Sequence, residues 1–116
     1  MERSIVGEWR SLKVLDCDVV VEEIWRIEND GKYSSTHRWS REERVLDEWM
    51  LEGEWKLASN ELTMYLQRSV RRSSIDPTFD HDRSYSDPTL NTITVQWFTA
   101  DEWGISDDRR YTRVGT

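Results

Sequence analysis

Cysteine is all but missing. Cys17 is the only one in 116 residues, so the chain can make no internal disulfide and offers no Cys pair for zinc. That usage fits a reducing compartment, and the expected location is cytoplasmic. No basic-then-apolar leader precedes the first strand-like segment, and no apolar run approaches the roughly 20 residues that span a bilayer. Basic charge is in deficit too, with 16 Lys and Arg against 23 Asp and Glu and a net charge of −7. Such a balance opposes long-range attraction to phosphate backbones and anionic lipid. Neither a nucleic-acid nor a membrane partner is expected; a neutral or cationic one is easier to accommodate.

Aliphatic residues are modest, with 36% of the chain hydrophobic, but seven Trp, four Tyr and two Phe carry large burial per residue. The length is that of one domain able to bury one core. The dominant pattern is alternation of period two, the mark of half-buried strands, in short blocks separated by turn residues. Ile5, Gly7 and Trp9 share one face of the first block. In "VVVEEIWRIE" Val21, Trp25 and Ile27 share a face, with Glu23 against the pattern. "NDG" at 29–31 supplies hairpin chemistry, and the following strand aligns Tyr33, Ser35, His37 and Trp39. "GEWKL" then "ELTMYLQ", joined at Ser59 and Asn60, form a second hairpin. Near the end Ile93, Val95 and Trp97 align, then Trp103 and Ile105, then a closing "RRYTRV". The series predicts an all-β, antiparallel meander of seven or eight strands that closes into an up-and-down barrel.

Two stretches depart from alternation. Val45 and Trp49 in "REERVLDEWML", 41–51, stand at helical spacing, so this segment reads either as a short capping helix or as a charged strand pair. The span 71–91 is polar, holds both prolines and reads as a long loop.

The triplet Gly-Glu-Trp occurs twice, at 7–9 and 53–55. Together with Asp30, Gly31 and Tyr33, and with Leu57, Asn60 and Leu62 after the second triplet, it resembles the small bacterial lipocalin-like domains. The likeness covers most of the chain; the 71–91 insert departs from it. It implies a calycin-type barrel whose interior can hold a small apolar molecule. In that frame each Gly lets a strand bend while the Trp two residues on plugs the barrel floor. The plainer alternative makes both core tryptophans of an antiparallel sheet.

Six tryptophans, at 9, 25, 39, 55, 97 and 103, fall on the inward face, and an eight-strand barrel is just wide enough to be filled by side chains or to hold one small guest. Polar residues on that face are candidates to orient a ligand: Glu23, Tyr33, Ser35, His37 and Arg113, with Glu23 and Arg113 expected as an ion pair. Asp80, His81 and Asp82 are consecutive and cannot easily converge on one metal, so they read as solvated loop. The arginines at 68, 71, 72 and 83 form either a cationic spot or charge balance for Asp76, Asp80 and Asp82. No nucleophile triad, phosphate loop or cofactor motif is present. The expectation is a non-enzymatic, single-domain binding protein without metal or cofactor. Its small hydrophobic or aromatic ligand would lie among Trp9, Trp25, Tyr33, His37, Trp39, Trp97, Glu23 and Arg113. The alternative is an acidic interaction module of inhibitor or immunity type, which would cover a basic protein with its outer acidic surface and the 71–91 loop.

Overall fold

The computed structural model describes residues 5–106 and 109–114. Within them lie nine antiparallel strands: β1 (Gly7–Val14), β2 (Val20–Ile27), β3 (Lys32–Arg41), β4 (Arg44–Ala58), β5 (Glu61–Ser73), β6 (His81–Thr94), β7 (Trp97–Phe98), β8 (Glu102–Ser106) and β9 (Arg109–Arg113). They form one sheet in the order β6-β5-β4-β3-β2-β1-β9-β8-β7. The class is all-β and antiparallel as expected, but the strand count exceeds the seven or eight anticipated. No ladder joins the terminal strands β6 and β7 among the described residues. These two are consecutive in the chain, linked by Val95 and Gln96, whose amides reach Asn60 O at 2.7 Å and Gly104 O at 2.8 Å. No helix of the described residues is long and apolar enough to cross a membrane.

Local chemistry explains the hairpins. Gly31 takes φ 87° in the β2–β3 turn, where Lys32 N also bonds to Asp30 Oδ1 at 3.0 Å. The 41–51 segment is no helix. Glu42 and Glu43 both sit at left-handed φ, 52° and 64°, making a two-residue turn between β3 and β4. Pairing on both flanks, to β3 and β5, satisfies the backbone here and overrides the helical spacing of Val45 and Trp49. The acids on its outer face meet arginines across the strands, as with Glu48 Oε2 and Arg38 Nε at 2.7 Å.

The span 71–91 is likewise mostly strand. β5 continues to Ser73, a 3-10 turn covers Pro77–Phe79 with Asp76 capping Thr78 N, and β6 begins at His81. Pairing jumps from Arg68↔Ser84 to Leu66↔Thr89, so the residues from Tyr85 to Pro88 stand against Gln67 in a wide bulge. A bulge is where a strand tolerates proline, which has no N–H for the ladder. The β1–β2, β3–β4 and β5–β6 connections lie at one end of the sheet, called upper below.

The core is aromatic. Trp9, Trp25, Tyr33, Trp55, Trp103 and Tyr111 are buried with Ile5, Ile27, Leu62, Met64 and Val95. Trp103 stacks on Tyr111 at 4.4 Å and meets Trp9 edge-on at 6.2 Å, while Trp25 lies edge-on to Tyr111 at 6.2 Å and stacks on Tyr33 at 6.0 Å. At about 25 cal/mol per Å² over roughly 200 Å², each such ring contributes on the order of 5 kcal/mol of transfer free energy before entropy is counted. The repeated triplet serves this core. Trp9 and Trp55 donate their indole N–H to Ile5 O and Glu28 O, each at 2.8 Å. Gly53 marks the bulge of β4 against β5, and a Cβ there would overlap the Tyr65 carbonyl oxygen.

Candidate functional site

Period-two alternation carries Glu23 and Trp25 on β2 to the same face, and the β2–β3 register sets His37 directly opposite Glu23 and Ser35 opposite Trp25. Arg109 and Tyr111 arrive on the same face of β9. Side chains of three strands, β2, β3 and β9, meet at one oxygen. Glu23 Oε1 accepts from Tyr111 OH at 3.1 Å, Trp25 Nε1 at 3.3 Å and Arg109 Nη2 at 3.4 Å, with His37 Nδ1 also 3.4 Å away. Arg109 Nη2 in turn donates to Tyr111 Oη at 2.7 Å. The Glu23 and His37 side chains are only 14% and 18% exposed, so each needs these partners to offset its desolvation.

Burial pushes the His37 pKa below its ordinary 6.5; Glu23 opposes that shift and Arg109 adds to it. The ring is therefore neutral at pH 7, and its network assigns the proton to Nδ1, facing Glu23, with Nε2 accepting from Ser35 Oγ at 3.2 Å. Burial and the Glu23 carboxylate both raise the Tyr111 phenol, which stays a donor. Burial alone lifts Tyr33 to about 12. Desolvation pulls Arg109 down, but Tyr111 and Glu23 outweigh it and its pKa is raised.

Above Trp25 opens a cavity of about 430 Å³. Trp25, His37 and Leu51 wall it on the side of β2, β3 and β4; Asn91 to Thr94, Gln96, Ile105 and Arg109 wall it on the other. A second polar group stands on the longer strands. Arg71 grips Asp47 through Nε and Nη2, at 3.2 and 2.8 Å, and its guanidinium lies 4.8 Å from both the Trp49 and Phe79 rings. His81 packs edge-on to Trp49 at 5.3 Å, and Ser69 Oγ lies within bonding distance of His81 Nε2 and Tyr85 Oη.

The expected site residues separate into three groups. Trp25, His37 and Glu23 come together at the cavity. Trp9 and Tyr33 are buried in the core instead, and Trp39 is half-buried between Val21 and Asp47 in the pairing. Trp97 and Arg113 do other work. Alternation breaks at Val95–Gln96, so Phe98 rather than Trp97 meets Trp9, at 6.1 Å. Trp97 lies against Gly104 and under the Arg110 guanidinium at 5.3 Å, with its N–H on Glu102. Arg113 is not the partner of Glu23. It pairs in register with Trp9, covers that ring at 4.2 Å, and donates to Ala100 O and Val6 O at 2.9 and 3.1 Å. Arg109, on the same face of β9 and nearer the start of that strand, takes the place expected of Arg113.

Sequence reading missed Arg109, Tyr111, Asp47 and Trp49 as site residues, and it singled out Arg71 without its partner Asp47. The signal was present: once 41–51 is read as a strand, Asp47, Trp49 and Leu51 alternate on the face of His37 and Trp39. His81 belongs to β6 rather than to a solvated loop, and Asp82 binds Arg68 Nη2 at 2.8 Å. The 68–72 arginines do not converge, since Arg68 meets Glu52 and Asp82 on the outer face while Arg71 meets Asp47 on the inner. Among the described residues no group of three or more His, Cys, Asp or Glu could hold a metal ion. Compared with family models, curated proteins and solved structures, the chain finds no match in any of the three.

Proposed function

We propose that this chain is a lipocalin-like, calycin-type binding protein of the cytosol that holds one small apolar or aromatic molecule without transforming it. The observation that carries the reading is the 430 Å³ cavity over Trp25. Its size falls within the roughly 300–1,000 Å³ of small-molecule pockets, and its lining sets Trp25, Leu51, Ile93 and Ile105 among His37, Arg109 and the exposed polar residues Asn91, Thr92, Thr94 and Gln96. The short link between β6 and β7 supports closure of the sheet into a barrel around the core. Binding rather than turnover is favoured because Ser35, which His37 and Glu23 join in a Ser–His–Glu chain, is buried and forms no part of the cavity wall.

Native mass spectrometry of the protein from its own host, followed by denaturing extraction, tests this directly. A stoichiometric small molecule is expected, and Asn91→Trp, which fills the rim from an exposed position, should expel it. A bare chain that also takes up no hydrophobic dye would defeat the reading.

One observation favours a second reading, the acidic interaction module. Leu12, Val14, Leu15, Val45, Ile75 and Phe79 are all exposed and belong to the upper end, beside the acidic turns at Asp16, Asp18, Glu42 and Glu43. A basic protein with an apolar patch would suit that surface. A co-purifying protein whose release rises steeply with salt, and which is lost on reversing Glu42 and Glu43, is its expected signature.

A further inference from the structure

We propose that the guest of the cavity carries a carboxylate and that Arg109 receives it. This deepens the ligand-binding reading and rests on it. Arg109 forms part of the cavity wall, and its side chain is 42% exposed. Among the described residues only Nη2 is engaged, by Tyr111 Oη at 2.7 Å and Glu23 Oε1 at 3.4 Å. Among the described residues Nε and Nη1 have no partner, so a cation fixed in direction by Tyr111 still presents unclaimed N–H donors.

The other charged groups of the site are already committed. Glu23 Oε1 gathers donors from Tyr111, Trp25, Arg109 and His37, which leaves it poorly placed to attract a cationic guest. His37 is neutral near pH 7, held so first by burial. Of the other lining residues Trp25, Leu51, Ile93 and Ile105 are apolar, and Asn91, Thr92, Thr94 and Gln96 are polar but uncharged. A molecule that fits both features has an apolar or aromatic body and one acidic end. The acidity of the protein as a whole does not forbid this, since exposed charges beyond about 10 Å are screened at physiological salt, whereas Arg109 acts at hydrogen-bond distance.

Calorimetric titration with two matched pairs tests the assignment: 1-naphthaleneacetate against 1-naphthaleneacetamide, and octanoate against octanamide. Each pair keeps the body and changes only the charged end. The acid of at least one pair should bind on the order of 10-fold or more tighter than its amide, the scale of one charge-assisted hydrogen bond. Arg109→Gln should erase that preference, bringing acid and amide to similar affinity, and Arg109→Lys should retain part of it. Equal binding of acid and amide by the unaltered protein overturns the carboxylate and leaves the cavity reading standing; that comparison needs no variant to fold. Binding of neither member of either pair overturns both. A preference for acid that survives in Arg109→Gln overturns the assignment to Arg109.

Discussion

The concave face of the sheet is built twice from similar residues, with opposite results. Near the start of β1, Trp9, Trp103 and Tyr111 have no exposed surface, and Arg113 is spread over Trp9 as a lid. Toward the upper end, Trp49, Arg71 and His81 make comparable ring and guanidinium contacts but remain partly open. Strand length explains the difference. β4, β5 and β6 have 15, 13 and 14 residues, whereas β7, β8 and β9 have 2, 5 and 5. Where the short strands stand beside β1, rings meet rings across neighbouring strands and water is excluded. Where the long strands outrun them, the same residue types line an accessible surface. The Glu23 network and the cavity lie at that boundary, where buried polar groups can be fixed from one side and reached from the other.

The sharpest way to break this comparison is to truncate a ring on each side. Trp103→Ala should cost about 3–5 kcal/mol in urea unfolding, and Trp49→Ala about 1 kcal/mol or less, as for a partly exposed site. Equal costs would mean that the upper surface is core after all. At the boundary, Glu23→Leu should cost roughly 3 kcal/mol because it leaves Tyr111, Trp25 and Arg109 without their acceptor. Glu23→Gln, which keeps an acceptor oxygen, should recover part of that.

The His37 titration tests the boundary by pH. Its folded pKa lies below the unfolded value of about 6.5, so the unfolded chain binds the extra proton. The contribution is thus complete above about pH 6.5 and is lost as pH falls toward the depressed folded pKa. Stability from pH 7 down to 5 should therefore fall more steeply in the native chain than in His37→Gln. Parallel curves would show that His37 is solvated like an ordinary surface histidine. The smallest effect lies outside both regions, at the β3–β4 turn. Replacing Glu42-Glu43 by Asn-Gly relieves two left-handed non-glycine residues and should stabilise by about 0.5–1 kcal/mol, read as a higher urea midpoint at unchanged slope.

Legibility along the chain followed how local the deciding interaction was. Asn29-Asp30-Gly31 announced its turn because the positive φ is a property of the residues themselves. Glu42-Glu43 concealed a tighter one, since nothing in two glutamates favours that conformation and only the strands on either side impose it. The inward alternation of Trp25 and His37 was visible, while Trp97 was placed on the wrong face because a break at Val95–Gln96 shifts the phase by one residue. Glu23 was singled out as the polar exception on an apolar face, but its partner was misassigned: Arg109 and Arg113 share one face of β9, and the β1–β9 register alone sets Arg113 beside Trp9.

Alternation, turn residues and aromatic content by themselves determined an antiparallel all-β chain with tryptophans at its centre, because those features act within a few residues or through burial common to any partner. The tertiary structure decided which tryptophans close the core, which arginine meets Glu23, and where the cavity opens. Those outcomes depend on the relative lengths, bulges and registers of strands far apart in sequence, and a one-residue slip in any of them would have given a different site from the same residues.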